Sequence, residues 1–285
     1  MTLSELPIRL LSKGRRCGNQ HCKHALDWTQ MLRPDRGIEF QGQWLCSEDC
    51  FSSVMEDAIS TIPEPVPGPV SSRGMPLGLV LLSRGYLTHT QLNQALQYQQ
   101  SRRPAKRIGD VLKELGVAND RQITRALAER SGCPVFTLQP SESSSCGECL
   151  PLHFLEVYRM LPVHFSPGTR TLFLGFTERV SYALLYAVEQ MLGIHAEPCL
   201  IESSLYERQY EIARNRSSNA QIVIETAITI SEAVRLVLNY ARQLQTASVR
   251  VASCGEYLWL RLTPTGFDIV IRFPQRQFDT HTPVI

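Results

Sequence analysis

The chain has no apolar run of 18 residues, so it contains no stretch able to cross a membrane as a helix. It also has no long run of one charge: 29 lysines and arginines stand against 27 aspartates and glutamates, a net charge of +2. A balance that close gives no broad electrostatic footprint for nucleic acid. The opening MTLSELPIRLLSKGRR places its positive charges after its apolar part and has no cleavage site, so it does not read as a secretory signal. No GxxxxGK[ST] occurs anywhere, which removes the glycine loop that cradles phosphates and the lysine that meets the terminal one. His153, His164 and His195 are scattered without ligand-like spacing, and no serine–histidine or paired-carboxylate constellation stands out. These absences point away from an enzyme and toward a cytoplasmic protein. What remains is ordinary globular composition, 43% hydrophobic and 20% charged, over 285 residues, enough for two or three domains.

Cysteine is the residue present in excess. Four of the nine form two close pairs, Cys17 with Cys22 and Cys46 with Cys50, in the pattern C-x4-C-x23-C-x3-C. Two tight turns, each presenting two thiolates, are what tetrahedral Zn2+ requires. Between the pairs, GIEFQGQWLC reads as a short hairpin. After it, Ser47, Glu48 and Asp49 suit the first turn of a helix whose apolar stripe is Phe51, Val54, Met55 and Ile59. Turn, hairpin and helix around one metal make a treble-clef-like zinc knuckle over 1–60. Four thiolates close the coordination shell, so the expected zinc is structural; His21 and His24 are alternatives for one of the four ligands. Of the other cysteines, Cys133, Cys199 and Cys254 read as core residues, and the CGEC at Cys146 to Cys149 as a loop thiol pair in a serine-rich stretch.

The segment 61–74, TIPEPVPGPVSSRG, carries four prolines and reads as an extended linker. Beyond it the chain repeats itself. With an offset of 31, Gly78 falls on Gly109, Leu81 on Leu112 and Gly85 on Gly116; Gln91, Leu92, Ala95 and Leu96 then fall on Gln122, Ile123, Ala126 and Leu127. Each copy reads as a short helix, a glycine stop and a capped second helix. Ile108, Val111, Leu112 and Leu115 follow the helical stripe, Gly85 and Gly116 sit where a left-handed residue ends a helix, and Thr88 and Asn119 are N-caps with glutamine three residues on. Such a doubled unit is a pseudo-symmetric domain of about four helices over 75–138.

These residues resemble a known family. LG-x2-L-x3-G-x2-T-x2-QL-x2-AL-x2-Q, then R-I-G-x2-L-x3-G-x6-I-x2-ALA, closing on SGCPVFTL, is similar to the N-terminal domain of the secretion and pilus ATPases, the general secretory pathway protein E N-terminal domain, including its MshEN variety that binds cyclic di-GMP. The resemblance continues through Tyr158-Arg159, Leu161-Pro162, Gly168, TLFLGF, SYALLYAVEQMLG and AEPCLIESSLYERQYE, matching the family's second subdomain. It covers residues 75 to 213. It implies a small α/β subdomain over 149–213, a cyclic di-GMP ligand, and docking on secretion or pilus machinery or on its ATPase. With no P-loop, the chain is expected not to be the motor.

Carried onto this sequence, the family's nucleotide site implies Leu77, Gly78, Leu81, Gly85 and Gln99 from the first motif, and Arg107, Ile108, Gly109, Leu112 and Gly116 from the second. Arginine suits the task because its planar fork pairs with guanine O6/N7 or stacks on the ring. The first motif departs from the pattern: Pro76 stands where Arg107 stands in the second, and Arg73 would have to reach across. Losing one such bidentate contact costs about 1–3 kcal/mol. Arg130 replaces the closing glutamine of the second motif.

Over 220–275 the helix ISEAVRLVLNYARQLQ and the strands ASVRVAS, EYLWLRLT and FDIVIRF form an α+β module, in which Tyr257 and Trp259 read as packing. The whole is expected to be α+β and multi-domain: zinc knuckle, tandem helical hairpin, small α/β subdomain and C-terminal module. The function expected is that of a non-catalytic regulatory or adaptor protein. The alternative is a zinc-dependent nucleic-acid-binding or transcription-associated protein using KGRR and SRRPAKR on phosphates, disfavoured by the balanced charge.

Overall fold

Side-chain caps and glycine stops set most helix boundaries, and the pairing of very short strands sets much of the rest. The computed structural model describes residues 16–22, 37–62, 75–101, 106–137, 149–216, 221–226 and 228–273. Most of the linker at 61–74, Arg73, Cys146, His24 and the greater part of both basic stretches lie outside these residues.

In chain order the elements begin with β1 (Ile38–Phe40), β2 (Gln43–Leu45) and α1 (Glu48–Ser60). Helices α2 (Leu77–Ser83), α3 (His89–Ser101), α4 (Ile108–Glu114), α5 (Asp120–Ser131) and α6 (Leu152–Val157) follow. Then come β3 (Met160–Ser166), β4 (Thr171–Phe176), α7 (Tyr182–Leu192), β5 (His195–Leu200) and α8 (Ser203–Arg216). The chain continues through β6 (Gln221–Ile224), α9 (Ile230–Gln243), β7 (Ser248–Cys254), β8 (Tyr257–Thr263) and β9 (Phe267–Arg272). The mixed α+β class expected from the sequence is what forms. Among the described residues no helix is long and apolar enough to cross a membrane.

The chain divides into two units. The first comprises Met1–Ile62, Thr226–Val251 and Leu260–Phe267. The segment expected as the zinc knuckle, 1–60, thus shares this unit with parts of the C-terminal module, and the reason is physical. A hairpin of two three-residue strands cannot bury its own face. Strand β1 pairs antiparallel with β2 and, on its other side, parallel with β7, placing Glu39 beside Ser248 and Phe40 beside Val249. Gln41 Nε2 donates to the Val251 carbonyl at 2.5 Å. Helix α1 packs on α9, burying Phe51, Met55 and Ile59 along one face, while α9 buries Ala233, Val234, Val237, Leu238 and Ala241. Phe40 meets Phe51 edge-on at 5.5 Å. The Thr229–Glu232 capping box starts α9, and Arg242 near its end donates to Glu48 at 2.6 Å.

The second unit comprises Pro63–Glu225, Ala252–Trp259 and Asp268–Ile285. Its four repeat helices exchange partners: α2 packs on α5, and the equivalent pair, α4 and α3, pack likewise. Each copy's first helix is thus seated on the other copy's second, an arrangement with approximate two-fold symmetry. Both first helices end in the same Schellman motif. The N–H of Tyr86 reaches the Leu81 carbonyl, and that of Val117 reaches the Leu112 carbonyl. Gly85 and Gly116 supply the required φ of +68° and +65°. Thr88 with Gln91 and Asn119 with Gln122 form the two expected capping boxes.

The rest of this unit is a three-stranded sheet, ordered β3-β4-β5, with β3 antiparallel to β4 and β4 parallel to β5. Val135, in the segment after α5, bridges to Leu200 on β5. The unit also holds β6, which runs parallel to β9. Cys199 and Cys254 are buried as expected, whereas Cys133 is only half-buried. Trp259 does more than pack: its Nε1 donates to the buried Asp268 Oδ1 at 2.8 Å.

Asp120 joins the repeat to the α/β part. Its Oδ2 accepts the Ser204 N–H at 2.7 Å, across 84 residues, and so caps α8 from outside. Burial alone would push this carboxyl up; the N–H and hydroxyl of Ser204, the Lys113 charge and the Ser203 N–H outweigh it, leaving the pKa below the ordinary value. A carboxyl lowered in the folded state stabilises above its unfolded pKa and loses that contribution as pH falls. Asp120→Ala should therefore cost about 1–2 kcal/mol at pH 7, with the gap closing below about pH 4. Urea unfolding of both proteins at pH 7 and pH 3 measures it; an equal gap at both values would remove the carboxylate from the explanation.

Candidate functional site

The metal centre is built from local pieces. Strand β2 ends at Leu45, Cys46 follows, Ser47 caps α1 by accepting the Cys50 N–H at 3.2 Å, and Cys50 sits in the first helical turn. The first cysteine turn is tied to the hairpin by Gly18, whose N–H donates to the Trp44 carbonyl at 2.9 Å. Inside that turn the Cys22 N–H reaches the Asn19 carbonyl at 3.0 Å. The result brings Cys17, Cys22, Cys46 and Cys50 together, all four sulfurs within 4.8 Å of one another. Cys22 and Cys46 are 3.5 Å apart at Sγ, and Cys46 and Cys50 are 3.8 Å apart.

These separations can be tested against the donor chemistry. Four sulfurs at about 2.3 Å from a tetrahedral zinc lie about 3.8 Å from each other, so the set fits one such ion. Burial opposes ionisation of Cys17, but N–H donation from Cys46 and Asn19 and thiol donation from Cys46 and Cys50 outweigh it and lower its pKa. Burial, then the neighbouring thiols, push Cys46 up to about 12. A divalent ion held by the four sulfurs would supply the positive charge that favours their ionised form. His21 is not among the ligands brought together, and His24 lies outside the described residues.

The repeat places its predicted residues unevenly. Leu81 and Leu112 have no exposed surface, and Leu77 is 8% exposed; they form the core of the four helices with Val80, Leu92 and Val111. Gly78 is buried over Leu92, Gly109 and Ile108 are half-buried, and Gly85 and Gly116 are exposed at their turns. Arg107 is the N-cap residue of α4, and its side chain is 63% exposed. Gln99, near the end of α3, donates its Nε2 to the Lys106 carbonyl at 2.6 Å. The closing glutamine of one motif thus braces the backbone beside the arginine of the other. Pro76 occupies the α2 position equivalent to Arg107, and around it Met75 and Leu79 are exposed, where the second copy carries Lys106 and Asp110. The two ends of the pseudo-symmetric unit have diverged, one charged and one apolar.

Sequence reasoning did not find Glu178. Its carboxylate pairs with the Arg107 guanidinium. No motif or spacing marks it, because only the fold brings the loop after β4 to α4.

No family model matches the chain, and no curated protein matches it. Solved structures do show similarity. A structure of MshE with cdg is 24% identical, covering 49% of this chain and 99% of that chain, with a TM-score of 0.37. A structure of the N-terminal domain of XpsE is 22% identical over 47% of this chain and 91% of that chain, with a TM-score of 0.35. Another crystal form of that XpsE domain is 24% identical over 47% and 90%, with a TM-score of 0.28.

Proposed function

We propose that this chain is a non-catalytic regulatory or adaptor protein: a structural zinc holds its cysteine cluster, and its tandem helical repeat binds cyclic di-GMP. Docking on secretion or pilus machinery, or on its ATPase, follows from the sequence resemblance and belongs to the same proposal. The observation that carries the nucleotide reading is the exchange of helices between the two repeat copies. It yields approximate two-fold symmetry, matched to a ligand made of two identical guanine nucleotides, with Arg107 exposed at one of the two equivalent helix starts.

Calorimetric titration of cyclic di-GMP into the full chain tests the reading, with Arg107→Ala as control. Wild type is expected to bind at micromolar dissociation constants, a loss of about 1–3 kcal/mol relative to a site with both arginines. Arg107→Ala should release no measurable heat. Silence from the wild type at millimolar ligand would leave the repeat as a protein-docking surface only.

A further inference from the structure

Arg107 is exposed, yet its charge is already answered. The Glu178 carboxylate holds one end of its guanidinium, linking the helical repeat to the α/β part of the same unit. Glu178 does not reach it by chance of a loose surface loop. It follows β4 directly, after Thr177, which is 2% exposed and donates its N–H to the Arg159 carbonyl at 3.2 Å. Arg159 is itself fixed, with its guanidinium on Glu207 at 2.7 Å and 4.8 Å from the centre of the Tyr206 ring. The backbone that presents Glu178 is therefore anchored on its β4 side. The Glu178 charge is also felt at Arg159, after that of Glu207.

The donor geometry of arginine makes that placement consequential. A guanidinium fork can face a carboxylate or the O6/N7 edge of a guanine with the same N–H groups, but not both at once. A fixed carboxylate at that spot also repels the phosphates of an anionic ligand. We propose that Glu178 is the built-in counter-ion of the nucleotide site: it occupies the Arg107 fork in the free protein and is displaced when a guanine-bearing, anionic dinucleotide binds. This rests on the nucleotide reading above. Displacement would free the carboxylate, so ligand arrival on the repeat is felt in the loop between β4 and α7. Glu178 then sets the affinity threshold of the site without touching the ligand.

The test is calorimetry of cyclic di-GMP with the full chain at fixed ionic strength, comparing wild type, Glu178→Gln, Glu178→Ala, Arg107→Ala and the Arg107→Ala/Glu178→Gln double variant. Two substitutions at 178 guard against one that fails to fold. Each Glu178 variant is expected to bind about three- to fivefold more tightly, the range an exposed ion pair supplies. Arg107→Ala and the double variant should both be silent. Unchanged or weaker binding by both Glu178 variants, with Arg107→Ala still silent, overturns the counter-ion role and leaves the nucleotide reading intact. Wild-type affinity in Arg107→Ala, or no binding by any protein, overturns both. Tighter binding by the double variant than by Arg107→Ala would also sink the proposal, since Glu178 would then be acting through its general field rather than on the fork.

Discussion

Cys46→Ser is expected to abolish stoichiometric zinc binding and to melt the first unit well before the second. The four sulfurs fit one tetrahedral ion, and the Cys46 sulfur lies near those of both Cys22 and Cys50. Removing it leaves three thiolate ligands and breaks the link between the hairpin end and the helix start. Structural zinc contributes about 10–16 kcal/mol of apparent binding energy in isolated zinc-finger peptides. Here the knuckle also rests on α9 and β7, so the cost is expected to be several kcal/mol against about 5–15 kcal/mol for a whole domain. Because thiols must lose protons to bind, and burial with the neighbouring thiols pushes Cys46 up to about 12, zinc affinity should fall steeply as pH drops below neutral. Elemental analysis of the purified chain, kept reduced, and thermal unfolding with and without a chelator would decide it. Metal-free wild type, or full zinc occupancy in Cys46→Ser, would sink the structural-zinc reading.

The second large effect separates the fold of the repeat from its site. Leu112 is fully buried among the four helices. Leu112→Ala should cost about 2–5 kcal/mol, and its counterpart Leu81→Ala a similar amount. The two leucines lie in one core, so their double substitution should depart from the sum. Arg107→Ala, at an exposed position, should change stability by less than about 1 kcal/mol. Urea unfolding gives the stabilities, and titration of the same samples gives the affinities. A Leu112→Ala protein of wild-type stability with impaired binding would place that leucine at the ligand surface and contradict its burial.

What the sequence determined by itself is local. The capping residues Thr88 and Asn119, the stops at Gly85 and Gly116, the 31-residue repeat and the cysteine turns act within one or two turns of chain, and all of these elements form as expected. The burial of Leu81 and Leu112 follows from the stripe they belong to, although the family pattern assigned them to the ligand. Only the tertiary structure decided which elements meet. Strand β1, three residues long, carries no sign in its own sequence that it pairs with β7. Neither Asp120 nor Glu178 belongs to a periodic pattern that predicts Ser204 or Arg107 as its partner. Such contacts depend on closing loops of many tens of residues, whose entropic cost grows only slowly with length. Many distant pairings are therefore nearly equal in cost. The packing of complementary apolar faces, α1 on α9 and α2 on α5, selects among them, and the polar contacts settle wherever that packing leaves them.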